Sequence, residues 1–249
     1  MRFVRIGLLA LMVAACENEP YEEAPLRITS LKNIDGKVTN TYQYQRQRLF
    51  FFKSVNDANA TTQASAKFWY KGDLLDRVVA DSSQAGYKVY KLFYSGTQVA
   101  GDSLFQIAAG QTVAVSRRRF EFNEVGQLAK IEVTPLQPGG VFSEVQLKWE
   151  GGNAAEVSFF EGEEPNKNLM STKRIRYDKQ NSLYPRNFAY FYTLPLEDVF
   201  WLSVNNPVQI GEEGKEAATL RFWYNKFGYP SNFRDANGKL FGAAYTEIL

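Results

Sequence analysis

The side chains that could carry chemistry in this chain of 249 residues are carboxylates, four tryptophans and one thiol, Cys16, because the sequence contains no histidine. The lack of histidine excludes Ser-His-Asp triads and histidine-ligated metals or haem. A single cysteine excludes an intrachain disulfide, a cysteine-rich zinc site and an iron–sulfur cluster. We therefore expect no cofactor and no metal site.

Paired carboxylates are the remaining route to catalysis, because glycoside hydrolysis requires only two of them. They occur in Glu161-Gly162-Glu163-Glu164 and in Glu212-Glu213, without a recognisable catalytic motif around them. The sequence also lacks a Gly-x-Ser-x-Gly elbow and an Asp-x-Asp-x-Asp-Gly calcium loop. We interpret these acids as solubilising turn residues and predict that the protein is not an enzyme. The alternative is a carbohydrate-active enzyme or a glycan-binding protein.

Three tryptophans, Trp69, Trp149 and Trp223, are candidate binding residues. In Lys67-Phe68-Trp69-Tyr70 the alternation of a strand puts Trp69 on the face opposite its two aromatic neighbours, and Arg221-Phe222-Trp223-Tyr224 repeats that pattern. Aromatic rings on the polar face of a sheet can stack on sugars or on a protein partner. The alternative is that the helix or the closure of the sheet covers both faces at these points.

Basic residues cluster in Arg46-Gln47-Arg48, in Arg117-Arg118-Arg119 and in Lys173-Arg174-Ile175-Arg176. Because strands present alternate residues to solvent, we interpret these clusters as solvated strand faces. A site for a phosphate or a lipid headgroup is the alternative.

The first fifteen residues have the features of a lipoprotein signal peptide. Arg2 and Arg5 precede an apolar run over residues 6–15, which is too short to cross a bilayer of ~30 Å comfortably. The run ends in Val13-Ala14-Ala15-Cys16, which resembles a bacterial lipobox. We predict a signal peptide over residues 1–15, cleavage between Ala15 and Cys16, and lipidation of Cys16. An ordinary secretory signal is the alternative.

Residues 16–25 are predicted to be an acidic tether, because four acids and two prolines favour an extended, solvated spacer. Removal of Arg2 and Arg5 from the 29 basic residues leaves 27, equal to the 27 acidic residues. This balance argues against nucleic acid as a partner. The predicted partners are the membrane, through the lipid on Cys16, and a glycan or another envelope protein.

From residue 26 to residue 249 the dominant pattern is a period of two, which predicts one all-β domain. A unit of strand, closing aromatic, turn and strand repeats along the chain. The closing aromatics are Tyr44, Tyr70, Tyr94, Phe122, Trp149, Tyr177 and Tyr224. Seven such units and a terminal strand predict an antiparallel meander of about 14–16 strands, curled or closed into an incomplete barrel.

One segment departs from this pattern. Pro195-Leu196-Glu197-Asp198-Val199-Phe200-Trp201-Leu202 places acids in a first turn and apolar residues at helical spacing, and Asn205-Asn206-Pro207 follows. We predict one short helix near residues 195–203 that plugs or caps the sheet.

The hairpin units, with Tyr177-Asp178 and Tyr224-Asn225-Lys226-Phe227-Gly228, resemble YD repeats. Together with the lipobox and Leu202-Ser203-Val204-Asn205-Asn206-Pro207, they are more similar to uncharacterised Bacteroidota lipoproteins with a porin-like fold. The resemblance covers most of residues 26–249 and implies this fold and a location in the envelope, but no established activity. We expect a protein that is lipid-anchored at the bacterial outer membrane and that acts by binding or scaffolding, with exposure at the cell surface as a further hypothesis.

Overall fold

The computed structural model of this protein describes residues 26–34, 38–81, 86–163, 165–184 and 188–247. Within these ranges the chain forms seventeen strands and two short 3₁₀ helices. The strands are β1 (Leu26–Asn33), β2 (Val38–Gln45), β3 (Arg48–Asn56), β4 (Thr61–Lys71), β5 (Leu74–Ala80), β6 (Gly86–Ser95), β7 (Gln98–Ala108), β8 (Gln111–Phe122), β9 (Leu128–Pro135), β10 (Ser143–Glu150), β11 (Asn153–Glu161), β12 (Asn168–Tyr177), β13 (Pro207–Glu212), β14 (Ala218–Thr219), β15 (Arg221–Tyr224), β16 (Pro230–Arg234) and β17 (Leu240–Glu247).

All the strands belong to one antiparallel sheet, which confirms the predicted meander. Successive strands pair along the chain except at β14 and β15, and β1 pairs with both β2 and β17, so the sheet curls into a barrel. The unsealed seam lies between β14 and β15. There one continuous segment changes partners, because β14 pairs with β13 whereas β15 pairs with β16.

Each predicted closing aromatic occupies the same structural position, at a β-bulge. The register of pairing shifts immediately before all seven of them: Tyr44, Tyr70, Tyr94, Phe122, Trp149, Tyr177 and Tyr224. A bulge bends its strand and increases the local twist. Repeated bulges of this kind therefore curve the sheet toward closure.

Five of these aromatics also donate a hydrogen bond to a backbone carbonyl of the preceding hairpin or strand. The bonds run from Tyr44 to Ile28 (2.6 Å), Tyr70 to Leu49 (3.0 Å), Tyr94 to Leu75 (2.8 Å), Trp149 to Leu128 (2.7 Å) and Tyr177 to Ala154 (3.0 Å). Phe122 has no polar atom for such a bond, and Tyr224 instead donates to Asp178 near the seam. In these five cases a side-chain-to-backbone hydrogen bond therefore joins a hairpin to the one before it.

The two 3₁₀ helices, Phe188–Thr193 and Leu196–Leu202, lie in the barrel core. Tyr190 and Phe200 are each 1% exposed and belong to the same hydrophobic cluster as the inward residues of the strands. The second helix confirms the prediction near residues 195–203, and the first was not predicted. Phe188-Ala189-Tyr190-Phe191-Tyr192 has the aromatic composition of a strand, so its local pattern does not reveal a helix.

Residues 203–206, which follow the second helix, form hydrogen bonds with several loops near the seam. Asn206 is fully buried, its Oδ1 accepts a hydrogen bond from the Leu183 amide at 2.8 Å, and its Nδ2 donates to the Asn181 carbonyl at 2.7 Å. Ser203 is also buried, and its hydroxyl accepts a bond from the Ala154 amide at 3.0 Å. The hydrogen bonds of these two buried side chains therefore fix the loops to the barrel.

One basic residue departs from the predicted solvated faces. Arg118 points inward and forms a bidentate pair with fully buried Asp102, with an Nη2–Oδ2 distance of 2.7 Å. The Tyr192 hydroxyl donates to the same carboxylate at 2.8 Å, which links the first helix to β7 and β8. Because Arg118 lies on the barrel-facing side of its strand, the interpretation of Arg117-Arg118-Arg119 as solvated is wrong for the middle arginine.

Candidate binding site at one end of the barrel

A cavity of about 300 Å³ lies beside the turn after β8, between the ends of β10 and β11 and the two 3₁₀ helices. Its walls are mainly apolar and come from both the sheet and the helices. The lining residues are Phe122, Val125, Gly126, Gln127, Leu128, Trp149, Gly152, Phe188, Val199, Leu202 and Val204. Its size is at the lower end of the range for small-molecule sites.

Trp149 is the one predicted binding tryptophan that lines this cavity. It lies at the register shift between β10 and β11, and its Nε1 donates to the Leu128 carbonyl of the neighbouring hairpin. Since the indole N–H is its sole polar group and is already bonded, the ring presents apolar surface to the cavity. The hydrogen bond also holds the ring in one orientation.

The rim is a tight turn whose shape is fixed by Asn123. Its Oδ1 accepts hydrogen bonds from the amides of Val125 (3.2 Å) and Gln127 (2.9 Å), and Gly126 takes a φ of 79° that favours glycine. Val125 is 77% exposed beside the opening. The turn is therefore a defined rim that carries an exposed apolar side chain.

Phe188 forms the inner wall and separates this cavity from a second one of about 250 Å³. It stacks on Phe191 with a centroid distance of 5.1 Å and meets Phe120 edge-on at 5.3 Å. Tyr70 lines the second cavity, and burial raises its pKa to about 12, so its hydroxyl stays protonated at neutral pH. The Phe188 ring thus contributes to the walls of both cavities.

The chemistry of the first cavity suits a compact, uncharged ligand with an apolar ring. Among the described residues that line it, none has a titratable side chain. A charged ligand would lose hydration there without gaining a partner. The polar groups that can orient a ligand are the Gln127 side chain and the backbone at the glycines.

The structure does not bring the three predicted tryptophans together. Trp69 is 40% exposed on the outer face of β4, where Lys67 Nζ lies 4.5 Å and Arg77 Cζ 5.1 Å from the ring centroid. Trp223 is 48% exposed on β15 near the seam. Binding at each of the three remains a prediction.

Phe188, Val199 and Leu202 were not predicted as site residues. Val199 and Leu202 belong to the predicted helix, but the sequence shows no signal that this helix faces Trp149. Phe188 belongs to the unpredicted helix. These contacts join residues that lie about 40–50 positions apart along the chain, so local periodicity could not reveal them.

The predicted cleavage and lipidation residues, Ala15 and Cys16, lie outside the described residues. Of the acids weighed for catalysis, Glu212 pairs with Lys215 at 2.6 Å. In the described ranges no three acidic or cysteine side chains are grouped to hold a metal ion. The helices of the described part are too short to span a bilayer.

No protein-family model matches this chain, and no curated protein sequence matches it significantly. Solved structures do match. A porin-like protein from Bacteroides uniformis aligns with a TM-score of 0.56 and 15% identity, over 89% of this chain and 95% of that chain.

Two Tc toxin structures align more weakly. The Photorhabdus luminescens Tc holotoxin pore gives a TM-score of 0.24 with 8% identity over 82% of this chain and 14% of that chain. TcdB2-TccC3-TEV gives 0.25 with 8% identity over 86% of this chain and 15% of that chain. The first similarity shows that the chain has a porin-like fold, and the other two carry no argument.

Proposed function

We propose that this protein is a lipid-anchored binding protein of the bacterial outer membrane, and that its barrel holds a compact, uncharged ring compound beside Trp149. The observation that carries the binding role is the apolar cavity of about 300 Å³ with a hydrogen-bonded indole in its wall. A ring that stacks on the indole would displace water from apolar surface on both partners.

Binding is proposed rather than catalysis because of the groups that face the cavity. The described lining contains no carboxylate, thiol or amine that could act as an acid, base or nucleophile. The polar groups present can orient a ligand but cannot transfer a proton at neutral pH.

Two features support attachment to the membrane through a lipid. The first is the sequence ending in Ala15-Cys16, which resembles a lipobox, followed by the acidic tether. The second is the polar outer face of the sheet, where Lys148, Glu156 and Arg174 form one ion-pair network. Charges of this kind suit contact with water, so the lipid on Cys16 would hold the domain at the membrane.

The test of the binding role uses protein labelled with fluorotryptophan, whose four indoles report separately by ¹⁹F NMR. The panel contains indole, p-cresol, cyclohexanol and methyl glucoside, with benzoate as a charged comparison. We expect at least one uncharged compound to shift the Trp149 signal selectively and benzoate to bind more weakly.

The matched variants are Val204→Phe, which places a ring in the cavity, and Val141→Phe, which places one at an exposed position. The first should abolish the shift and the second should leave it. If no panel compound moves the Trp149 signal, or if Val204→Phe leaves the shift intact, the proposed site is wrong.

The anchor is tested separately in cells that make the full chain. Wild-type protein should incorporate labelled palmitate, and Cys16→Ser should not. Processing that is insensitive to globomycin, with no acyl group on Cys16, would contradict the lipoprotein assignment.

A further inference from the structure

The outer wall over β4–β8 carries a line of basic residues that we call the cationic row: Arg77, Lys91 and Arg117. The pairing register places Arg77 directly opposite Lys91, and Ser103 on β7 lies between Lys91 and Arg117 in the same line across the strands. Trp69 pairs with Arg77 and ends the row. With strands ~4.8 Å apart, the three charges span roughly 14 Å around the wall.

In the described part of the chain, neighbouring carboxylates do not neutralise the cationic row. Within the described residues, no carboxylate lies within the 4.0 Å ion-pair distance of any of the three. Asp76 lines the same groove without forming such a pair. On the opposite wall, by contrast, Lys148 and Arg174 both pair with Glu156. Like charges on directly opposed residues are destabilising, so Arg77 beside Lys91 has a cost that a bound anion would remove.

Apolar surface lies directly beside the charges. A groove of about 260 Å³ is lined by Arg77 and Lys91 together with Val89, Phe105 and Ile107. Arg117 Cζ lies 4.8 Å from the centroid of the Phe93 ring. The face therefore offers fixed cations, one exposed indole and an apolar floor within the same few strands.

We propose that this outer face binds a linear acidic glycan. Carboxylate or sulfate groups of successive sugars would accept charge-assisted hydrogen bonds from the row, and guanidinium groups are suited to bidentate contact with such anions. The apolar face of one sugar would pack over the groove, and Trp69, on whose ring Arg77 stacks, would hold that guanidinium at the end of the row. This site is independent of the cavity beside Trp149.

Curvature favours a flexible chain over a membrane. Seventeen strands at ~4.8 Å give a barrel roughly 25–30 Å across, so a row of ~14 Å bends through about a sixth of the wall. A flat bilayer would touch the curved wall along a narrow line parallel to the barrel axis, whereas the row runs around the wall. An acidic peptide is disfavoured because β4–β8 are paired on both sides and offer no edge for strand addition.

The experiment measures binding of the full-length folded protein to polygalacturonate oligomers by biolayer interferometry, at low and at moderate salt. Arg77→Gln with Lys91→Gln removes two charges from the row. Arg176→Gln with Lys239→Gln removes two exposed positive charges elsewhere on the protein. This control variant therefore has the same net charge as the row variant. Circular dichroism melts confirm that both variants fold.

We expect the row variant to weaken binding at least tenfold, the matched variant less than twofold, and Trp69→Ala severalfold, with affinity falling as salt rises. Neutral dextrin, poly-glutamate and vesicles containing phosphatidylglycerol should bind much more weakly than polygalacturonate. Absence of binding, equal losses in both double variants, or equal binding of any of these three competitors would overturn the proposal.

Discussion

The Trp149 indole nitrogen donates a hydrogen bond to the Leu128 carbonyl oxygen at 2.7 Å, and both residues line the cavity at the end of the barrel. Tyr44, Tyr70, Tyr94 and Tyr177 make the same kind of bond in other hairpins, so the candidate site is built from the repeat that forms the fold. The cavity lies beside Phe122, the closing aromatic that cannot donate such a bond. The aromatic repeat therefore serves both the closure of the sheet and the shape of the site.

The first prediction concerns these repeated bonds. Tyr70→Phe removes the hydroxyl that donates to Leu49 and should lower the free energy of unfolding by about 0.5–1.5 kcal/mol, measured by urea denaturation. Tyr87→Phe removes a hydroxyl from a half-buried outer position and should change stability by less than about 0.5 kcal/mol. Equal effects of the two variants would show that the bond to Leu49 has no stabilising role.

The second prediction concerns the buried ion pair. Asp102→Asn leaves Arg118 in the core without a counter-charge, and we expect a loss of about 3–5 kcal/mol. Asp102→Leu combined with Arg118→Met replaces both charges by apolar groups and should cost less than Asp102→Asn. A double variant as unstable as the sum of the two single variants would argue against this coupling.

The third prediction concerns Gly101, whose absent side chain allows a close approach. A Cβ there would lie 2.2 Å from the Arg118 carbonyl oxygen and 2.3 Å from Phe93 Cζ. Gly101→Ala should therefore destabilise the fold by about 1–3 kcal/mol or more. Gly211→Ala is the matched strand control, because its nearest neighbour would be 3.8 Å away. Similar melting temperatures for the two variants would contradict this packing.

The fourth prediction compares the stability lost when a tryptophan that packs on the core, Trp201, or an exposed one, Trp223, is truncated. Trp201 packs against Phe200, Phe222 and Phe233 at centroid distances of 6.0, 6.4 and 6.0 Å. Trp201→Ala should cost about 3–5 kcal/mol, whereas Trp223→Ala, at a 48% exposed position, should cost less than about 1 kcal/mol. A large loss at Trp223 in chemical denaturation would mean that its ring packs in the core.

The fifth prediction concerns alkaline pH. Burial raises the pKa of Tyr44 and of Tyr184 to about 12. An unfolded tyrosine has a pKa of about 10, so the unfolded chain loses these protons first as the pH rises. The stability that these two protonated tyrosines contribute is complete below about pH 10 and is lost as the pH rises toward about 12.

Denaturant midpoints measured between about pH 8 and about pH 11 should therefore fall most steeply above about pH 10. Tyr184→Phe should flatten that fall. A midpoint that stays constant across the range would show that these hydroxyls titrate normally in the folded protein.

Much of the barrel wall was predictable because each strand has its own alternation of polar and apolar residues. In Lys67-Phe68-Trp69-Tyr70 the alternation of residues gave the correct face for every side chain, and the closing aromatics marked the bulges. The interior was less predictable. Arg118 looks the same in sequence as its two neighbours, and its burial depends on Asp102 and Tyr192, which lie 16 and 74 positions away.

The site was only partly predictable for the same reason. Trp149 was identified as a closing aromatic, but its cavity depends on Phe188 and Leu202 from helices inside the barrel. The local sequence of the two helices contains no signal that predicts which strands they will pack against. The outer rows of charge, by contrast, follow directly once register is known, because the side chains alternate along each strand.

We expect the space beside Trp149 to receive a ligand. The most direct measurement is a crystal structure of the protein soaked with the uncharged ring compound that shifts the Trp149 fluorine signal most. We predict density for that compound between Trp149, Phe122 and Phe188. A compound bound elsewhere, or a space closed by movement of Phe188 or Leu202, would contradict the claim.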